Sequence, residues 1–235
     1  MKGVIISAGL GTRMKPITNI ISKNLLPVYN KPAVYYSIEA MKKSGVDDIL
    51  LVVNKRDIRQ YKKILGDNNE FGVKISYAIQ HEQNGTAHAV LCAEKFAGNE
   101  NIAVMFADNI FEDNLDFEDF EEGARIYLKE VQDPERFGIA EVNNNKIISL
   151  EEKPKFPKSN YCITGLYLYD RNVFDYIKTL KPSVRGELEI TDLNNIYFKN
   201  DKLDYRIVKG FWVDAGTFDS MLEAGNLMKK KLLKK

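Results

Sequence analysis

The first half of the chain alternates short apolar, β-branched runs with helix-like stretches. That alternation restricts the folds open to it more than any other feature. Lys2–Ser7, Ile49–Val53, Lys74–Ile79 and Ile102–Phe106 read as strands, with Ala33–Ser44, Ile58–Leu65 and Thr86–Phe96 as the helices between them. Strand–helix–strand order points to parallel strands joined by crossover helices. In open sheets of this kind ligands bind beyond the carboxyl ends of the strands, where loops carry the polar groups. A glycine-containing loop follows the first strand, Gln80 follows the third and Asp108 follows the fourth, so all three fall at such ends.

The second half reads differently. Arg125–Val131, Gly138–Val142, Lys146–Glu152 and Ile163–Tyr169 are strand-like, and Asn143-Asn144-Asn145 is a good hairpin turn. Helices are expected at Asn172–Leu180 and Glu189–Lys199, strands near Asp204–Val208 and Gly210–Val213, and a last helix from Thr217. The expected fold class is therefore α/β: a Rossmann-like, mostly parallel central sheet flanked by helices, with antiparallel hairpins covering one side. A chain of 235 residues suits one such domain, 1–235.

The loop after the first strand, Ala8-Gly9-Leu10-Gly11-Thr12-Arg13, combines small residues with an immediate guanidinium, and Lys23 follows downstream. Glycines let a backbone approach closely, and successive N–H groups can converge on an anion. A P-loop needs GxxxxGK[ST], which does not occur. A Rossmann dinucleotide loop needs a third glycine where Met14 stands, and the run Ile49–Val53 ends in Asn54 rather than an acid. An isolated GxG serves equally well as a plain turn, but Arg13, Pro16, Lys23 and Leu25-Leu26-Pro27-Val28 make the string far more specific.

Composition excludes several classes. No apolar run approaches the roughly 18 residues that span a bilayer, and the N-terminus does not read as a signal peptide. A formal charge of +1 gives no general electrostatic reason to bind nucleic acid. Cys92 and Cys162 sit in apolar contexts with no CxxC, as buried free thiols of a reducing cytosol do. The basic tail KKKLLKK reads as a solvated helix end. His81 and His88 lack the spacing of metal ligands or of a triad.

Seven separated segments carry a family resemblance: GLGTRMKPIT from Gly9, KNLLPVYNKPAVYYSIEAM from Lys23, ADNIF from Ala107, DPERFGIAEV from Asp133, EEKPKFPKSNYCITGLYLYD from Glu151, RGELEITDLNN from Arg185 and FWVDAGTFDSMLEA from Phe211. In them the chain resembles the sugar-1-phosphate nucleotidylyltransferases, most nearly the short-form glucose-1-phosphate thymidylyltransferases. The resemblance implies that a sugar-1-phosphate oxygen attacks the α-phosphorus of a nucleoside triphosphate, giving an NDP-sugar and pyrophosphate. It implies a nucleotide-binding half at 1–115 and a sugar-binding half at 116–235, and Mg²⁺ held by Asp108 and Asp214. Arg13, Lys23, Asp108 and Lys153 are then the catalytic set. Ala8, Gly9, Gly11, Thr12, Arg13, Gln80, Gly85, Thr86 and Asp108 would line the nucleotide, and Asn109, Gly138, Glu152, Lys153, Thr164 and Arg185 the sugar phosphate. The expected partners are dTTP or UTP and a hexose-1-phosphate, with no nucleic acid and no membrane, in a cytoplasmic homo-oligomer.

The base is less sharply defined. Gln80 matches a base-reading glutamine, whose amide suits an imide edge because it both donates and accepts. The segment QHEQNGTAHAV also resembles that of the N-acetylglucosamine-1-phosphate uridylyltransferases. A UTP-dependent uridylyltransferase is therefore the nearest alternative, with Thr86 as the expected site of discrimination, and a non-catalytic nucleotide-sugar sensor is a second. Ala8 and Ala107 stand where the family has glycines. If those positions need φ > 0, each alanine would cost on the order of 1 kcal/mol or more. Longer family members add C-terminal helices tied to a regulatory nucleotide site, and no segment of this chain is matched to it.

Overall fold

The four apolar runs of the first half become the parallel centre of one mixed sheet, as strands covered on both faces require. The structure, a computed structural model, describes residues 1–66 and 70–233, so the last two lysines of the basic tail lie outside the described residues. In chain order the strands are β1 (Lys2–Ser7), β2 (Pro27–Val28), β3 (Lys31–Pro32), β4 (Asp48–Asn54), β5 (Lys74–Gln80), β6 (Ile102–Phe106), β7 (Asn109–Phe111), β8 (Ala124–Glu130), β9 (Gly138–Asn143), β10 (Lys146–Glu152), β11 (Tyr161–Tyr169), β12 (Leu203–Ile207) and β13 (Trp212–Asp214). The helices are α1 (Ala33–Lys43), α2 (Ile58–Leu65), α3 (Thr86–Leu91), α4 (Glu94–Ala97), α5 (Val173–Thr179), α6 (Ile190–Lys199) and α7 (Phe218–Leu233).

Strands β5, β4, β1 and β6 lie side by side and parallel, and β11 joins β6 antiparallel. Beyond β11 the sheet carries β8 and, parallel to it, β12, while the hairpin β9–β10 meets β11 through Cys162 and Ile139. The expected turn is present: Asn144 and Asn145 have φ of 47° and 59°, and Asn143 pairs with Lys146. Paired positive φ values at both central residues match the right-handed twist of the flanking strands.

Side chains alternate across the sheet. Val4, Leu50, Val52 and Val104 pack with α3, α5 and α6, while Ile5, Leu51, Val53 and Met105 pack with α1 and α2. A third, smaller core holds α7 against β2 and β13 through Val28, Val213, Ala224 and Met228.

Two local readings change. The helix expected over Thr86–Phe96 is two helices, because Ala93 bonds back to Val90 in a tighter turn. The strand expected at Gly210–Val213 is β13, and it pairs antiparallel with β7, a three-residue strand too short to read from periodicity.

Asp170, buried at the end of β11, is the hub of the second half. It accepts bonds from Gly123 N before β8, from Tyr197 Oη on α6 and from both Asn172 N and Asn172 Nδ2 ahead of α5. Replacing it leaves several buried donors without partners. Asp170→Ala should lower unfolding stability by about 3 kcal/mol in urea titration. A loss below about 1 kcal/mol would show that the hub is dispensable.

Candidate active site

Two cavities of about 440 Å³ and 240 Å³ share Thr86, Phe106, Asp108 and Glu187 and so form one continuous cleft. It opens at the carboxyl ends of β1, β5 and β6, where the sequence places it. The smaller part is lined by Gly9, Lys23, Gln80 and Gly85, and the larger by Arg13, Asn109, Gly138, Glu152, Lys153, Arg185 and Asp214. Thirteen of the expected site residues therefore line one cleft, counting the shared Thr86 and Asp108.

The glycine loop is shaped by steric need. Gly11 has φ of 65°, and a Cβ there would lie 2.8 Å from Thr18 Cγ2, while Thr18 Oγ1 donates to Gly11 O at 2.8 Å. Gly11 and the exposed Thr12 do not line either cavity; they form the turn that turns Arg13 toward the cleft. Ala8 is fully buried and its methyl belongs to the core with Val4 and Ala87, and Ala107 is likewise buried among Leu51 and Met105. Neither has positive φ, so the expected alanine penalty does not arise.

Where the two cavities meet, charges converge. Lys23 Nζ forms an ion pair with Asp108 Oδ2, and Asn109 Nδ2 donates to Asp108 Oδ1 at 3.0 Å. Burial works against the charge of Asp108, but the Lys23 ammonium and the hydrogen bonds more than offset it and hold the carboxyl below its usual range. Asp214 sits across the β7–β13 pair, where its neighbour Ala215 N donates to Asp108 O at 2.8 Å. Burial and then the Asp108 charge push the Asp214 carboxyl up to about 6, against the pull of Lys23, Arg13 and Arg136. Arg13 NH2 lies 3.8 Å from Asp214 Oδ2.

The two aspartates suit a divalent cation. Their mutual repulsion, visible in the raised Asp214, is what a cation relieves. Among the described residues no group of three or more His, Cys, Asp or Glu side chains converges. Mg²⁺ is commonly held by only one or two carboxylates and completed by substrate phosphates, which this pair can supply.

Asn109 acts on its neighbours more than on the cleft. Its Oδ1 accepts from Gly165 N at 2.8 Å and from Trp212 Nε1 at 2.7 Å, so one amide ties β11 and β13 to Asp108. A Cβ at Gly165 would stand 2.6 Å from Asn109 Oδ1, which explains that glycine.

On the other side, Glu152 accepts from Thr191 Oγ1 at 2.5 Å and lies 3.5 Å from Lys153 Nζ. Gly138 leaves room for this pair, since a Cβ would be 2.8 Å from Thr191 Oγ1. Arg185 is expected to meet a phosphate, yet here its guanidinium pairs with Glu189 at 2.8 Å and Glu152 at 3.3 Å. Burial disfavours its charge and these carboxylates more than restore it, so its pKa is raised. Thr164 does not line the sugar side. It is fully buried, with no partner for Oγ1 among the described residues, because Ile163, Gly165 and Tyr167 take the cleft face of β11 and alternation turns Thr164 away.

Gln80, the group expected to read the base, is also constrained. Gln80 Nε2 donates to Gly85 O at 3.3 Å and meets His88 Nδ1 at 3.2 Å. Gly85 has φ of 102°, and its Cβ position falls 2.5 Å from Leu188 O, so packing against the 187–190 segment also demands glycine. Thr86 Oγ1 accepts from Ile190 N at 3.1 Å, which commits its hydroxyl to the first turn of α6. Sequence reasoning misses Arg136, Phe137, Glu187, Glu189, Thr191 and Trp212, which line the larger cavity. All lie inside or beside the strings quoted above, and only the folded chain aims them inward.

The chain matches the nucleotidyl transferase family over residues 2–231. It is 43% identical to the glucose-1-phosphate thymidylyltransferase of Neisseria meningitidis serogroup A, across 97% of this chain and 82% of that protein. It is 38% identical to the low-salt glycan biosynthesis nucleotidyltransferase Agl11 of Haloferax volcanii, across 100% of this chain and 68% of that one. Among solved structures, a Bacillus anthracis protein assigned as a glucose-1-phosphate thymidylyltransferase, in complex with sucrose, superposes with a TM-score of 0.92. That pair is 46% identical and covers 97% of this chain and 94% of the other. A UDP-glucose pyrophosphorylase bound to UDP-glucose, 24% identical, shares the fold with a TM-score of 0.86 over 98% of each chain. The chain belongs to the nucleotidyl transferase family, and it is an enzyme of that class.

Gly216 offers a direct test of the Arg13 position. A Cβ there would come within 2.5 Å of Arg13 NH2 and 3.0 Å of Asp214 Oδ1. Gly216→Ala should fold with nearly unchanged thermal stability, because the Arg13 end can swing aside. Triphosphate affinity, measured by calorimetry, should fall roughly tenfold, the loss expected when one charge-assisted contact is misplaced. Unchanged affinity would take Arg13 out of the triphosphate site.

Proposed function

We propose that the protein transfers a nucleotidyl group from dTTP to glucose-1-phosphate, forming dTDP-glucose and pyrophosphate. The observation that carries this reading is the two-part cleft hinged on Asp108, with cations on its phosphate side and carboxylates with a threonine hydroxyl on its sugar side. The relatives named glucose-1-phosphate thymidylyltransferase support it, at 41–43% identity over most of the chain.

In this reading the pyrimidine sits in the smaller cavity against Gln80 and Gly85, and the triphosphate runs past Gly9 toward Arg13. Lys153 meets the sugar phosphate, and Glu152 accepts from sugar hydroxyls. An oxygen of the sugar phosphate attacks the α-phosphorus in line while the bond to the β-phosphate oxygen breaks, so pyrophosphate leaves with its electron pair. Positioning and neutralisation of two anions supply most of the rate. Asp108 and Asp214 would hold Mg²⁺, which when bound neutralises phosphate oxygens. Arg13 pairs with the triphosphate through planar donors that fit two oxygens at once. Lys23 adds a second cation and keeps Asp108 ionised.

Purified protein with Mg²⁺, glucose-1-phosphate and dTTP should release pyrophosphate, with UTP run in parallel to rank the two bases. Asp108→Asn and Asp214→Asn should each lower turnover by roughly 10²-fold, the scale for losing one electrostatic element of a preorganised site. The double variant should be little worse than the poorer single one, because the two act as a unit. No release with either triphosphate and any hexose-1-phosphate would overturn the reading.

A further inference from the structure

Behind the glycine loop lies a buried polar network that the reaction scheme does not use. Tyr61, on α2, is completely buried, yet its hydroxyl is not idle. It hydrogen-bonds Ser7 Oγ, the last residue of β1, and Ser22 Oγ at 2.8 Å, the residue before Lys23. Asn24 Nδ2, on the other side of Lys23, donates to Ser7 Oγ at 2.6 Å. Ser7, Ser22 and Asn24 are each at most 2% exposed. The preceding residue of α2 grips the same segment: Gln60 Nε2 donates to Ile20 O at 2.8 Å, and Ser22 N donates to Gln60 Oε1 at 3.4 Å.

These bonds tie together two separate pieces of chain. One is the end of β1, from which Ala8 and Gly9 start the loop. The other is the one-turn segment Lys23–Leu25, whose lysine reaches Asp108. Between them run the exposed residues of the loop, with Ile20 80% exposed. A phenylalanine would fill the same volume in this core, so packing alone does not call for the hydroxyl.

We infer that Tyr61 is a positioning residue of the phosphate site: its hydroxyl, through Ser7 and Ser22, sets the distance between the glycine loop and Lys23 and so places the Lys23 ammonium on Asp108. The inference rests on the function proposed above, because it takes Lys23 to act at the transferred phosphate. Without the hydroxyl, Ser7 and Ser22 lose their common partner, and the Lys23 turn is held to the end of β1 only by the Asn24 bond to Ser7 and to α2 only by Gln60. Displacements near 1 Å from outside the reacting centre can lower rates by about 10²-fold, and this one acts through one of several groups. The sugar side is anchored elsewhere, through Glu152, Thr191 and Glu189, and should not respond.

The test compares the full-length wild-type protein with Tyr61→Phe and Ser7→Ala. Turnover, KM for each substrate, dTTP affinity by calorimetry and thermal stability are measured together. Tyr61→Phe should keep its melting temperature within a few degrees and lower kcat about tenfold, with KM for glucose-1-phosphate unchanged within twofold. Ser7→Ala should show the same pattern more weakly. The Ser7→Ala, Tyr61→Phe double variant should be no slower than Tyr61→Phe alone, since both act through one network. A Tyr61→Phe protein that melts earlier but keeps wild-type kinetics would reduce the hydroxyl to a stability role and overturn the inference. So would a loss spread equally over kcat and both KM values. If the wild-type protein shows no turnover, it is the proposed function that fails, and calorimetry then decides this inference separately. Weaker dTTP binding by Tyr61→Phe than by wild type sustains a positioning role, and equal or absent binding overturns it.

Discussion

A buried ion pair between Lys23 and Asp108 closes the cleft where its two parts meet, and most of the site is arranged around it. The partners come from chain segments 85 positions apart, and both side chains are largely hidden from water. At an effective dielectric near 20, two charges about 4 Å apart attract by roughly 4 kcal/mol, while removing each from water costs several. The pair therefore adds little net stability. Its value is geometric: it holds the turn after the glycine loop against the end of β6, with the ammonium facing the space a phosphate would fill. Asp214 bears the consequence. With Asp108 kept ionised by Lys23, the second buried carboxyl is pushed up to about 6. One charge is secured and the other is poised, which is the electrostatic condition a cation and a polyphosphate resolve together.

The framework around that pair depends on few connections. Asn109 joins three of them with one amide: Asp108 through its nitrogen, and Gly165 of β11 and Trp212 of β13 through its oxygen. The short β7–β13 ladder then fixes Asp214 beside Asp108, although the two are more than a hundred residues apart. Such an arrangement lets a parallel sheet supply one side of the cleft while an antiparallel extension supplies the other. Both halves share β11, which pairs with β6 on one flank and β8 on the other.

The parallel centre of this fold was legible because continuous apolar runs separated by helix-length segments leave few other solutions. The hairpin at Asn144 and Asn145 was legible for a local reason, since both residues tolerate φ > 0. Strands of two or three residues such as β2, β3 and β7 carry no period to read. Motif strings located the cleft but could not say which way each side chain turns. Thr164 shows the limit: it sits between two cleft-lining neighbours, and a one-residue step along a strand reverses the face. Ala8 shows another. A glycine-to-alanine change looks like a loss of room near a ligand, yet the methyl points into the core at ordinary φ. Arg185 was legible as a functional arginine by position, but its three carboxylate neighbours depend on how the 183–190 segment folds back on Glu152.

Those carboxylates give the cleft a polarity along its length. At one end Arg13, Lys23 and Arg136 act on Asp214, and two of them approach the shared wall at Asp108. At the other end Glu152, Glu187 and Glu189 surround one guanidinium, with Lys153 half-exposed beside Glu152. Carboxylates bound to an arginine keep acceptor sites open, so they suit hydroxyl donors better than anions. The lysine at their edge, Lys153, is held at φ of 45° by the bond its N–H donates to Phe137 O at 3.0 Å. A ligand with many hydroxyls and one phosphate is therefore oriented by the cleft itself. Its hydroxyls face the acids, and its phosphate faces Lys153 and, beyond it, the cations around Asp108. In the function proposed above, the same charge order would point the phosphate oxygen of such a ligand toward the triphosphate.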